Sequence, residues 1–315
     1  MYAYRVLVSR AEVPEWVLRP IRGLAYQPDL YTSLAGGQEV DEFERWIAKE
    51  YEEPGLQASD KLLAGCSITA SDWQCLARLV AVQDVRTPLN FIEFKKLYDE
   101  QAPGILDECV EEFKRRVKSG PVATASIQTP SGLAEAIRVH VEPAGDQVNV
   151  QVEAASRKLW LASQRHVLMH AAAELCQHRW SVATPDGDEE WPFTDHPVLR
   201  LNWYKPGHYD FCGGWGNKGS EIIMPISPRH LLYVKVGTKM QNRFTFSREH
   251  TRVVQRLIVE RAYRWVFARR PVTWVAQAKP RVVDETAFLA EQDAWLRWSQ
   301  EQLHAEAQLM SGVPE

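Results

Sequence analysis

The chain has 315 residues, 45% hydrophobic and 25% charged, a globular balance that excludes disorder, collagen and coiled-coil rods. At roughly 150 residues per domain the length gives one or two domains, and a chain of this size folds without needing disulfides or metal. Lys plus Arg is 37 and Asp plus Glu is 41, so the formal charge is −4. That excludes a protein that coats nucleic acid or anionic membrane non-specifically, while a local basic groove stays open.

The elements follow in chain order. Tyr4–Val8 reads as a strand. Val40, Phe43, Trp46, Ile47 and Tyr51 recur at three and four and make an amphipathic helix, with Pro54-Gly55 as its end. Thr69-x-x-Asp72 is a capping box opening a helix with Trp73, Leu76, Ala77 and Val80 on its apolar face. That helix ends near Arg86, and Thr87-Pro88 starts the next. A fourth helix carries Ile105, Cys109, Phe113 and Val117, and a Ser/Thr/Gly/Pro-rich loop covers 119–133. Beyond it the period changes to two. Ile137, Val139 and Val141, then Val148, Val150 and Val152, form a hairpin with one wet face. A long helix runs over 156–177. Strands follow over 180–183, 197–201, 221–226 and 231–236. Ser247, or the residue after it, caps a helix whose apolar sides extend to Tyr263 and Val266-Phe267. Val272–Val275 reads as a last strand. An amphipathic helix runs from Asp284 to about 309, with Phe288, Trp295, Leu296 and Leu303 on it.

The pattern predicts an α+β fold: a helical lobe packed on a mostly antiparallel β lobe, with a C-terminal amphipathic helix. One domain is expected over residues 1–275, with the helical lobe about 38–118 and the β-rich lobe about 135–275. A helical extension covers 283–310 and is the candidate surface for pairing two copies of the chain. Five cysteines show no C-x-x-C and read as reduced thiols packed as small hydrophobes. The N-terminal apolar run is too short for a signal peptide, and no window approaches the roughly 18 apolar residues of a membrane helix. The expectation is a soluble cytoplasmic protein without a membrane segment.

Few residues point to chemistry. Trp203-Tyr204-Lys205 and Trp215-Gly216-Asn217-Lys218 mix aromatics with cations as a nucleic-acid platform does, although core packing is the default for most of the 12 tryptophans. Arg165 and His170 have the spacing of an Arg–His pair used by some helical ribonucleases, a pattern that arises often by chance. Asp195, His196, His208, Asp210 and Cys212 are legitimate metal donors, but their spacing matches no closed site. The loop 212–219 holds four glycines, yet it does not join a strand to a helix as a phosphate-binding loop would. Arg86 lies between a helix end and a helix start, where a guanidinium beside N-terminal amides makes an anion site; it can equally cap its own helix. Asp195 either fixes a turn or serves as a site carboxylate.

Read together, Gln27-x-Asp29-Leu30-Tyr31-Thr32, Thr69-x-x-Asp72-Trp73, Gln83-Asp84-Val85-Arg86-Thr87-Pro88, Pro192-Phe193-Thr194-Asp195-His196-Pro197 and Pro225-Ile226-Ser227-Pro228 resemble the bacterial domain-of-unknown-function 4238 family. The resemblance spans roughly residues 4 to 270. It departs at two places: the family's opening His-Tyr-Val-Pro motif is absent, and its Asp-Asn-Pro turn reads Asp195-His196-Pro197. It implies a bacterial cytoplasmic setting and recurrent positions for Arg86 and Asp195, with no activity attached.

Two functions follow as expectations. In the first, the chain is a nuclease-like hydrolase or another enzyme on a phosphate-bearing substrate. Arg86 binds the anion, Asp195 and His196 are catalytic, and a divalent metal is the candidate cofactor. In the second, it is a non-catalytic protein-interaction module and Arg86 and Asp195 are structural. Both expect Arg86 and Asp195 to meet, the first in an open cleft, the second as a buried ion pair.

Overall fold

The computed structural model describes residues 1–20, 24, 33–35, 38–90, 92–93, 96, 137–144, 147–154, 156–205, 207–293, 296–297 and 300. The helix expected around 105–117 and the loop expected over 119–133 lie outside them. The fold is α+β, and no described helix is long and apolar enough to cross a membrane. Internal contacts divide the chain into two compact units: Met1–Thr87 with His170–Glu315, and Pro88–Met169.

The smaller unit contains the expected hairpin. β6 (Ile137–Ala144) pairs antiparallel with β7 (Gln147–Ala154), and Val139 and Val141 stand opposite Val152 and Val150. Helix α4 (Ser156–Leu175) begins in this unit, and its last residues belong to the larger one.

In the larger unit, α1 (Glu42–Ile47) runs through a π-helical turn, Ala48–Glu52, into α2 (Glu53–Leu63). Pro54-Gly55 therefore does not end the first helix. The Glu53 N–H bonds the Ala48 carbonyl five residues back. This widened turn leaves Pro54 in the first turn of α2, where its missing N–H costs nothing. Helix α3 (Ala70–Val85) starts at the expected capping box: Thr69 Oγ1 accepts from the Asp72 N–H at 3.2 Å, and the Asp72 carboxylate accepts from the Thr69 N–H at 2.9 Å. α2 crosses α3 at Gly55, where a Cβ would stand 2.6 Å from Leu79 Cβ and 3.2 Å from the Cys75 carbonyl oxygen. Gly55→Ala gains about 1 kcal/mol of helix propensity. The expected outcome is nevertheless net destabilisation by about 1–2 kcal/mol, because both obstructing atoms sit at or on the backbone; urea unfolding measures it.

The strands build two main sheets. One has the order β3 (Trp16–Leu18), β1 (Tyr2–Arg5), β15 (Trp265–Ala268), β9 (Phe193–Thr194), all antiparallel. The other has the order β11 (His208–Asp210), β10 (Leu199–Lys205), β12 (Glu221–Ser227), β13 (His230–Lys235), β8 (Ser181–Thr184), β14 (Arg243–Thr245); only β14 runs parallel to its neighbour. Two small pairs, β2 (Leu7–Val8) with β16 (Val282–Val283) and β4 (Ser33–Ala35) with β5 (Gln38–Val40), complete the set. Along β10, Leu199 and Leu201 point to one face and join Trp191, Ile223, Leu231, Tyr233, Val254, Leu257 and Ile258 in the core. Ile222, Met224, Leu232 and Val234, on the opposite face, are buried as well, so the central strands are apolar throughout.

Helix α5 (Arg248–Arg261) is capped by Ser247, whose hydroxyl accepts from the His250 N–H. It stops at Arg261 and does not reach Val266-Phe267, which belong to β15. The cause is a carboxylate from elsewhere in the chain, described below. Val272–Val275 is not a strand: α6 (Trp274–Ala278) takes its second half. Near the C-terminus, Asp284 Oδ1 accepts from the Ala287 N–H at 2.9 Å, and residues 285–293 are helical. Leu296, whose place on the apolar stripe suggests packing on the body of the chain or on a second copy, is 56% exposed; Trp295 lies outside the described residues.

Candidate functional site

Helix α3 decides where Asp84 and Arg86 go. Two residues at about 100° each turn their side chains to nearly opposite sides of the helix. Arg86 meets carboxylates on α1 and the π-turn: its Nη2 lies 2.6 Å and 2.7 Å from the Glu44 oxygens, and its Nη1 2.8 Å from Glu52 Oε1. Burial pushes the Glu44 carboxyl above its ordinary pKa, and Arg86 pulls it back.

Asp84 faces inward and is 3% exposed. Its Oδ2 accepts from Trp215 Nε1 at 2.7 Å and lies 3.3 Å from Arg200 Nε. Burial raises its pKa; Arg200, the Trp215 hydrogen bond and Arg261 act against the rise. The Arg200 guanidinium sits 5.1 Å from the Trp215 ring centroid. The glycine-rich loop between β11 and β12 delivers that indole. A Cβ on Gly213 would stand 2.8 Å and 2.9 Å from backbone atoms of Arg200 and Leu201, so only glycine lets the loop lie on β10. The Trp215 carbonyl meets His178 Nε2 at 2.6 Å, and the His170 ring stands edge-on to the indole at 6.0 Å.

Asp195 sits at the end of β9 and is 8% exposed. Its carboxylate accepts the N–H groups of Tyr263 (3.1 Å), Arg264 (2.9 Å and 3.1 Å) and Trp265 (3.3 Å). In a continuing helix these amides would bond the carbonyls of 259–261. The carboxylate claims them instead, which is why α5 ends and β15 begins. The Arg264 Nε lies 3.6 Å away, Arg264 Nη1 lies 3.7 Å from Glu291 Oε1, and Arg5 Nη2 lies 3.2 Å from the same oxygen. Charges thus alternate along Asp195, Arg264, Glu291 and Arg5. Arg5 is also held over the rings of Phe288 at 4.4 Å and Trp265 at 5.1 Å. Burial raises the Asp195 pKa, and Arg264 with the three amides opposes it.

His196 is 1% exposed, and its Nδ1 has no hydrogen-bond partner among the described residues. Burial, followed by the charges of Arg261 and Arg200, pushes its pKa from 6.5 down to about 3. It is a neutral imidazole at any physiological pH.

Arg86 and Asp195 do not meet: Asp195 bonds Arg264 and the 263–265 backbone, and Arg86 is not among its partners. The end of α3 and the 193–197 turn are linked through other residues. Arg200 and Arg261 act on both Asp84 and His196. Sequence reasoning passed over Asp84, although it lies two residues before Arg86 in the same motif. Arg200, Arg264 and Glu291 carry no local signal, since each acquires meaning only through a partner distant in sequence.

Among the described residues no three of His, Cys, Asp and Glu gather as metal ligands. The Asp210 carboxylate is engaged by Asn202, Tyr204 and the Cys212 N–H. Trp203 stacks on Tyr209 at 5.6 Å with planes 6° apart, a surface aromatic pair that does not include Trp215. No curated protein and no solved structure matches the chain. One family model, "Protein of unknown function (DUF4238)", matches residues 5–271. That match covers both sides of the charge cluster, the α3 motif and the 193–197 turn, and on it the chain belongs to the DUF4238 family.

Proposed function

We propose that the chain is a non-catalytic protein-interaction module of the bacterial cytoplasm in which Arg86 and Asp195 are structural. The observation that carries this reading is the engagement of Asp195 by three successive backbone amides and Arg264. A carboxylate so held sets the path of the chain and has no geometry for taking a proton from a substrate. Arg86 supports the reading in the same way, since two carboxylates face its guanidinium. Leu289 and Leu296, one heptad apart and 53% and 56% exposed, offer an apolar strip to a second copy. The four described cysteines are free thiols, as in a reducing compartment.

A rival reading keeps a nuclease-like or other phosphate-processing hydrolase at this place, with Arg86 as the anion site, Asp195 and His196 as catalytic groups and a divalent metal supplied by solution. It draws on the raised pKa of both Asp84 and Asp195, since buried carboxylates are common at active sites. One experiment separates the two. Purified protein is assayed with Mg²⁺ and Mn²⁺ on RNA, DNA, nucleoside triphosphates and a phosphomonoester, beside Arg86→Ala. The expected outcome is no turnover by either, with Arg86→Ala less stable by about 1 kcal/mol because its ion pairs are only partly buried. Metal-dependent turnover abolished by Arg86→Ala, with stability unchanged, would establish the hydrolase.

A further inference from the structure

The α5 face that points away from the sheet, together with α6 and the loop before Trp191, encloses an open cavity of about 570 Å³. Its lining includes Glu189, Arg252, Arg256, Glu260, Trp274 and Gln277. That volume is within the range of small-ligand sites. It shares no residue with the Asp84, Asp195 and His196 cluster.

The charges in it fall into two groups. Arg256 and Glu260 are spent on each other: Arg256 Nε donates to Glu260 Oε1 at 2.5 Å, and the Tyr209 hydroxyl donates to Oε2 at 2.5 Å. Glu189 and Arg252 are not spent. Among the described residues the Glu189 carboxylate accepts only the neutral Gln255 amide, at 3.2 Å. Arg252 makes no ion pair or hydrogen bond among the described residues, with Glu189 or with any other group. Glu189 is nonetheless held in place. Arg229 Nη1 donates to its carbonyl at 2.6 Å, and the buried Gln255 bonds both its carboxylate and the Glu190 carbonyl. The half-buried Trp274 indole supplies an apolar wall in the same cavity.

We propose that this cavity binds a small zwitterion of the amino-acid class. A lone cation would answer Glu189 and be repelled by Arg252; a lone anion would do the reverse. A free amino acid answers both, with its ammonium on Glu189, its carboxylate on the Arg252 fork and its side chain against Trp274. Glu189 and Arg252, opposite in charge and lining one cavity, suit a ligand that carries both charges.

The test is calorimetric titration of the full-length protein with the free amino acids, one at a time, to about 10 mM, a range that covers millimolar affinity. The best binder is then repeated as its N-acetyl form and as its methyl ester. Each blocked form is expected to bind at least about tenfold more weakly, which corresponds to removal of one charge-assisted contact. Glu189→Gln and Arg252→Gln are surface changes that leave the fold intact, verified by unchanged melting. Glu189→Gln is expected to abolish discrimination against the N-acetyl form alone, and Arg252→Gln discrimination against the ester alone. The proposal is overturned if no amino acid binds, if blocked forms bind as well as free ones, or if both variants titrate like the parent.

Discussion

Asp195→Ala is expected to cost about 3–5 kcal/mol of unfolding free energy, the range for removing one partner from a buried charged pair. The reasons are local and additive in direction. Three backbone N–H groups at 263–265 lose their acceptor in a region with little water, and each unsatisfied buried donor costs about 1–3 kcal/mol before relaxation. Arg264 loses its nearer carboxylate and keeps its contact with Glu291. The β15–β9 pairing, where Val266 and Phe267 register with Thr194 and Phe193, starts from this fixed point and weakens with it. Asp195→Asn keeps an acceptor oxygen and loses the charge, so its cost is expected to fall between wild type and alanine, at about 1.5–3 kcal/mol. Chemical denaturation of the three proteins at pH 7.5 measures the series. Equal stability of all three contradicts the structural role.

That turn also marks where the sequence stopped being legible. The capping box at Thr69, the hairpin of β6 and β7, the strands β8, β10, β12 and β13 and the Ser247 cap could be read because each signal is local: an oxygen three residues from its N–H, an alternation of period two, or a short continuous apolar run. The end of α5 could not. Tyr263, Val266 and Phe267 continue the apolar period of the helix, and local propensity prolongs it to them. What stops it is Asp195, nearly 70 residues earlier, competing for the amides. Pro54-Gly55 misleads in the opposite sense. Proline is a breaker in a helix interior, but a π-turn ahead of it converts its position into a helix start.

The site was half legible for the same reason. Prolines on either side of Asp195, and a helix stop and start around Arg86, do mark fixed positions. They do not say what a fixed charge faces. Helix phase put Asp84, not Arg86, toward Arg200 and Trp215, and phase becomes decisive only when the neighbouring elements are known. The glycines of 212–219 mark a loop between two strands in sequence, without saying what it carries; in space they let Trp215 reach Asp84.

The second large effect is on acid stability and belongs to His196. Its folded pKa is about 3, against 6.5 ordinarily. Below pH 6.5 the unfolded chain takes up a proton that the folded chain refuses. Stability is therefore fully present above that pH and is lost as pH falls toward 3. The full difference is on the order of 5 kcal/mol, and the part falling between pH 6 and pH 4 is about 2–3 kcal/mol. His196→Phe keeps a flat ring in the buried site and removes the proton. Its unfolding free energy is expected to change less over pH 6 to 4 than that of the wild type by this amount, whatever the offset between the two proteins at pH 8. Superimposable slopes would show that the ring is hydrated and ordinary.

Amide hydrogen exchange of Tyr263, Arg264 and Trp265, read residue by residue in wild type and in Asp195→Asn, tests the role of Asp195 most directly. If the carboxylate holds these amides, all three are strongly protected in the wild type. Their protection then falls in the variant by roughly 10- to 100-fold more than that of amides in the central strands β12 and β13, since each 1.4 kcal/mol is a factor of ten. Amides at 263–265 that exchange freely in the wild type, or that keep their protection relative to β12 and β13 when Asp195 is changed, would contradict it.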